Sequence, residues 1–94
     1  MVKYICFCQM TPEFLRLSLE EREAWIPKWR DISRKYGLKM LFWGSTMGVK
    51  EHVVFVFEAD KNHGAYMEFQ REWLSLGTPD AGRYFDYTRT ISVH

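Results

Sequence analysis

Two cysteines stand two residues apart in the stretch YICFCQM, Cys6 and Cys8, and their type and spacing raise the question of a metal or redox site. In an extended strand, residues i and i+2 project from one face about 6–7 Å apart, so the two thiols are neighbours. A disulfide wants its Cβ atoms about 3.5–4.5 Å apart and does not form readily across that span. A tetrahedral ion needs further ligands. The chain has no third cysteine, and its three histidines, His52, His63 and His94, are not spaced as a second ligand pair. Both cysteines are therefore expected to be reduced, unmetallated and buried, acting as small hydrophobes. No metal and no cofactor is expected.

A second group is polar. His52 opens an apolar run, HVVFVF, and is the candidate catalytic residue: a histidine titrating near neutrality can act as general base. Gln9, Arg83 and Tyr84 are candidate ligand-binding residues, and an arginine with a tyrosine suits an anionic or enolic molecule. Arg89 interrupts an apolar alternation between Tyr87 and Ile91, and a buried arginine needs a partner. That partner is either an acid across a dimer or the carboxylate of a ligand. Trp43, just before Gly44, is a candidate pocket wall or dimer edge. His63 falls in the first turn of a helix capped by Asp60, where the dipole disfavours its protonated form, and reads as a surface residue.

The elements that must hold these groups follow from the period of the apolar residues. Residues 2–10 alternate as a strand, with Val2, Tyr4, Cys6, Cys8 and Met10 on one face. TPEFLRL is an irregular lead-in. Ser18 and Glu21 form a capping box that starts a helix. Trp25, Trp29, Ile32 and Tyr36 make its stripe, and Gly37 closes it. Pro27, which lacks an amide hydrogen, predicts a kink or a break that opens a second helix. Asp31 and Lys35 are spaced as an i, i+4 pair on the solvated face.

Residues 38–44 read as a second strand, and residues 51–58 as a third that is apolar on both faces from Val53 to Phe57. Asp60 caps a further helix carrying Tyr66, Phe69, Trp73 and Leu76, and Gly77 ends it before the turn-rich TPDAG. Trp25, Trp29 and Trp73 lie on helix stripes and are expected in the core. Residues 83–93 alternate as the last strand, with Phe85, Tyr87, Ile91 and Val93 on one side and Thr88, Thr90 and Ser92 on the other.

The expected fold is thus α+β: a ferredoxin-like β-α-β-β-α-β plait spanning residues 1–94 as one domain, its four-stranded antiparallel sheet covered by helices on one face. Ninety-four residues suffice for one core and not two. In the plait, the end of the first strand, the start of the third and the start of the fourth meet. Gln9, His52 and Tyr84 are therefore expected together, with a small ligand bound between helices and sheet at that end.

The third strand leaves an apolar face uncovered, and a second copy of the chain is expected to cover it, sheet to sheet, as a homodimer. Element order, length and two-faced apolar strands resemble the dimeric α/β barrel superfamily, which includes antibiotic-biosynthesis monooxygenase-like and muconolactone isomerase-like proteins. The resemblance implies a shared barrel and a small-molecule ligand between sheet and helices. It also implies a cofactor-independent monooxygenase- or isomerase-like enzyme, with a non-catalytic ligand-binding or interaction module as the alternative. The haem-degrading members of that superfamily use an asparagine on the first strand, a tryptophan on the third and a histidine within the second helix. Here Gln9, Phe55 and Phe57 stand in the strands, the one asparagine is Asn62, and the helix has only His63 at its start.

Thirteen basic against twelve acidic side chains give a net charge of +1, which argues against nucleic acid and membrane surfaces as partners. KEHVVFVF loosely matches the RNA-recognition octamer, but Glu51 and His52 occupy its second and third places. The short apolar N-terminal run is neither a signal peptide nor a span, and a cytoplasmic location is expected.

Overall fold

The computed structural model describes residues 1–60, 63–76 and 84–94, apart from the side chains of His63, Ser75 and Leu76. Strand β1 is Val2–Met10, α1 Pro12–Leu15, α2 Leu19–Lys35, β2 Lys39–Ser45, β3 Val53–Ala59, α3 His63–Arg71 and β4 Phe85–Val93. All pairings are antiparallel and the strand order is β2-β3-β1-β4, which is the plait expected. Asn62, Gly77, the loop at 78–82 and Arg83 lie outside the described residues.

The lead-in expected to be irregular contains one helical turn, α1. Pro12 at its first position has the backbone angle a helix start needs, and Phe14 from this turn is buried. Arg22 donates to the carbonyls of Leu15 and Leu17, fastening α1 to the start of α2. The capping box is present: Ser18 Oγ accepts from the Glu21 amide, and Glu21 accepts from the Ser18 amide. Helix α2 runs unbroken through Pro27, so the proline does not open a second helix. Gly37 follows it with φ +75°, the left-handed conformation that glycine adopts without strain. Lys35 turns from Asp31 to Glu72, at 2.6 Å, while Asp31 pairs with Arg34. Helix α3 continues into a wider π-helical turn, Glu72–Leu76.

Both long helices pack on one face of the sheet. Trp29 of α2 and Trp73 from the π-helical turn meet Phe55 and Phe85, and Phe69 of α3 meets Phe57. Tyr4, Cys6 and Cys8 point to the same side, each opposite a β3 residue of that face: Phe57, Phe55 and Val53. Phe55 and Phe57 are thus sealed under helices and offer no platform for bases.

The other face carries Ile5 and Phe7, opposite Val56 and Val54, with Phe42 beside Val56 and Ile91 beside Ile5. Two bulges decide which residues reach which face. In β2, Leu41 is the extra residue between Met40 and Phe42, so Met40 and Trp43 both turn toward the helices and Phe42 away. In β4, Asp86 is extra opposite the step from Gln9 to Met10. Phe85 therefore enters the helix-side core, and the single face expected for Phe85, Tyr87, Ile91 and Val93 is divided there.

Candidate functional site

The residues expected at one site are distributed over both faces of the sheet. Gln9 and Arg89 lie on the open face, where Gln9 pairs with Tyr87 and Arg89 with Phe7. Tyr84 is buried on the helix side, its ring edge-on to Phe14 and Trp25, and its carbonyl accepts from the Thr11 amide. Trp43 stacks on Phe55 at 6.3 Å, half-buried on the helix side of the edge strand β2. Arg83 and the His63 side chain fall outside the described residues.

His52 does reach the end of β1, as the plait requires. Its amide donates to the Cys8 carbonyl, and its Nδ1 accepts from the Met10 amide at 3.1 Å. That bond occupies the lone pair a general base would use and leaves the neutral ring's proton on Nε2. His52 thus fastens the strand end through both its backbone amide and its ring.

Arg89 finds its acid within its own chain. Its guanidinium makes two bonds of 3.0 Å to the buried Glu51 carboxylate and lies 4.6 Å over the Phe7 ring. Neither an acid across a dimer nor a ligand carboxylate is needed. The Arg89 guanidinium holds the Glu51 carboxyl down to about 2. Lys50 sits 5.7 Å over Tyr87, so the connection before β3 reaches across β1 to β4 at two adjacent residues. Thr46 Oγ1 donates to the Glu51 carbonyl and shapes that connection.

A cavity of about 210 Å³ opens elsewhere, between α3 and the helix-side face of β1 and β4. Tyr4, Tyr66, Met67, Gln70, Thr90 and Ser92 line it, and none of the sequence-predicted site residues does. Helical spacing places Tyr66 and Gln70 one turn apart over the sheet, and alternation places Thr88, Thr90 and Ser92 beneath them. Tyr66 stacks on Tyr4 at 4.1 Å. Its hydroxyl is 2.9 Å from Thr90 Oγ1, and the Gln70 amide donates to Thr88 and Thr90 at 3.2 and 3.3 Å.

Cys6 sits directly behind this cluster, opposite Thr90 across the strand pair. Both cysteines are unpaired and fully buried, as expected, with Sγ atoms 3.7 Å apart. The Cys8 thiol, with help from Thr90, Tyr66 and Gln70, draws the Cys6 thiol below its ordinary range against the opposing effect of burial. Burial and the neighbouring Cys6 push Cys8 up. Burial likewise pushes Tyr66 well up, so its hydroxyl stays a donor.

Sequence reasoning missed this cavity. The signal was the hydroxyl row Thr88, Thr90 and Ser92 in β4, which alternates toward the helices, where a core strand would place apolar residues.

Comparison with known proteins supports the architecture. The sequence matches no family profile and no curated protein. Among solved structures, the whole chain superimposes on 93% of an uncharacterized NIPSNAP domain protein from Burkholderia xenovorans, with 13% identity and a TM-score of 0.62. It also superimposes on 94% of At3g17210 from Arabidopsis thaliana, with 14% identity and a TM-score of 0.61. The likeness shows the fold. At such identity, no residue's role transfers with it.

Proposed function

We propose that the protein is a cytosolic homodimer that binds a small organic molecule between α3 and the sheet. One observation carries the ligand reading: the cavity combines a stacked tyrosine pair with an amide and a row of hydroxyls, the mix of apolar wall and few convergent polar groups that marks ligand sites. Its volume is below the roughly 300–1,000 Å³ of drug-sized pockets, which favours a molecule of one ring bearing hydroxyl, carbonyl or carboxylate oxygens. Gln70, Thr90 and Ser92 supply its hydrogen bonds, and Met67 and the tyrosines its apolar contact. Dimerisation rests on the open face, where Phe42, Ile91 and Val93 are 58, 44 and 48% exposed.

A thermal-shift panel of monocyclic phenols, quinones and aromatic acids tests the site, with haem as a separate arm. At least one single-ring compound should raise the melting temperature of the parent. The rise should vanish in Gln70→Leu and Thr90→Val and persist in His52→Ala. A rise lost only in His52→Ala would move the site to the end of β1, and stabilisation by haem alone would overturn the ligand class.

A further inference from the structure

The open face of the sheet is apolar in the middle and charged beside it. Phe42, Val56, Ile5 and Ile91 form one row across all four strands. The next row toward the start of β1 carries Lys39, Glu58 and Lys3, with Lys3 Nζ 3.4 Å from the Glu58 carboxylate and both side chains partly exposed. On the other side of the apolar row, Val54 and Phe7 lie between Gly44 at one edge and Arg89 at the other.

Two identical sheets meet face to face about a two-fold axis in the plane between them, and that axis either crosses the strands or follows them. An axis across the strands sets each strand over its own copy and the charged row over the row beyond the centre. Glu58 would then lie on the partner's Val54 and Lys3 on the partner's Phe7, two charges desolvated against apolar side chains. An axis along the strands, midway between β3 and β1, sets each row on its own copy in reverse order. Glu58 then meets the partner's Lys3, and Phe42 meets the partner's Ile91. Arg89 meets the partner's Gly44, where an added Cβ would touch nothing within 4 Å. Aligned sheets cross at only about 30°, which keeps the facing charges within reach of a lysine side chain.

We propose that two copies of this chain pair about an axis along the strands, with Lys3 and Glu58 forming reciprocal ion pairs across it. The arrangement rests on the homodimer proposed above and adds its orientation. The four charges alternate in sign around the axis. They set register and partner choice, while the apolar row supplies the burial that drives association.

Charge reversal tests the arrangement. Lys3→Glu places four carboxylates around the axis, and Glu58→Lys four ammonium groups. By analytical ultracentrifugation at low salt, each variant alone should self-associate about tenfold more weakly than the parent, with its fold unchanged by circular dichroism. Mixed in equal amounts, the two variants should form a heterodimer, because the acids of one chain then face the lysines of the other. An ion pair confined to one chain gives no such rescue. In the parent, carbodiimide should join Lys3 to Glu58 between isotopically light and heavy chains, which decides the matter even where a variant fails to fold. A dimeric parent with undiminished variants, no heterodimer on mixing, or crosslinks within single chains only would overturn the arrangement and leave the homodimer standing. A monomeric parent would overturn both.

Discussion

Arg89 and Glu51 show what a single residue reveals and what it withholds. That an arginine between Tyr87 and Ile91 must have a partner follows from the sequence alone, because an unpaired guanidinium against apolar surface is costly. The partner's identity does not follow, since the sequence places Glu51 at the head of the third strand, whereas the strand begins at Val53 and Glu51 belongs to the connection before it. The pair has a pH signature. Glu51 is held at about 2 when folded, below its ordinary 4.5, so its contribution is complete above the ordinary value and is lost as pH falls toward 2. Glu51→Gln should be less stable than the parent at neutral pH, and the two urea-unfolding curves should converge between about pH 5 and pH 2. A constant gap across that window would show that the carboxylate's charge is immaterial. His52 gives the complementary lesson: its position was legible, but its bond to the Met10 amide, which fixes its tautomer, was not.

At the scale of elements, β3 separates pattern from register. Residues 53–57 are all apolar, so nothing in their order says which side faces the helices. Pairing with β1 settles it: Phe55 is sealed against Trp29 and Trp73, and Val56 lies on the open face beside Phe42. Phe55→Ala should cost about 3–5 kcal/mol in urea unfolding, as large-to-small core changes do, and Phe55→Asp should prevent folding. Val56 is itself buried within the single chain, so Val56→Asp should also lower the urea-unfolding midpoint. In α2 the capping box was legible from Ser18 and Glu21, and Ser18→Ala should destabilise by about 1 kcal/mol. The bulges at Leu41 and Asp86 were not legible, because one extra residue leaves no mark on a period-2 pattern until the partner strand is known.

For the whole molecule, the plait and its uncovered face could be read from element order and from the two-faced apolar third strand. The cavity could not, since it depends on α3 lying over a hydroxyl row more than fifteen residues further along. The open face carries the assembly prediction. Light scattering at micromolar concentration should report a dimer, with a melting temperature that rises with protein concentration. Phe42→Asp, at a side chain already exposed within one chain, should yield a folded monomer; a monomeric parent would sink the shared barrel. The strand order has a consequence for synthesis as well. Strand β1 is central, flanked by β3 and β4, yet it leaves the ribosome before either. At about 5–20 residues per second, several seconds pass before its second neighbour exists. Until β3 is made it has no strand to pair with, and until β4 is made one of its edges stays open. Nascent chains arrested before residue 85 should therefore crosslink to holdase chaperones through β1, and chains released with β4 complete should not.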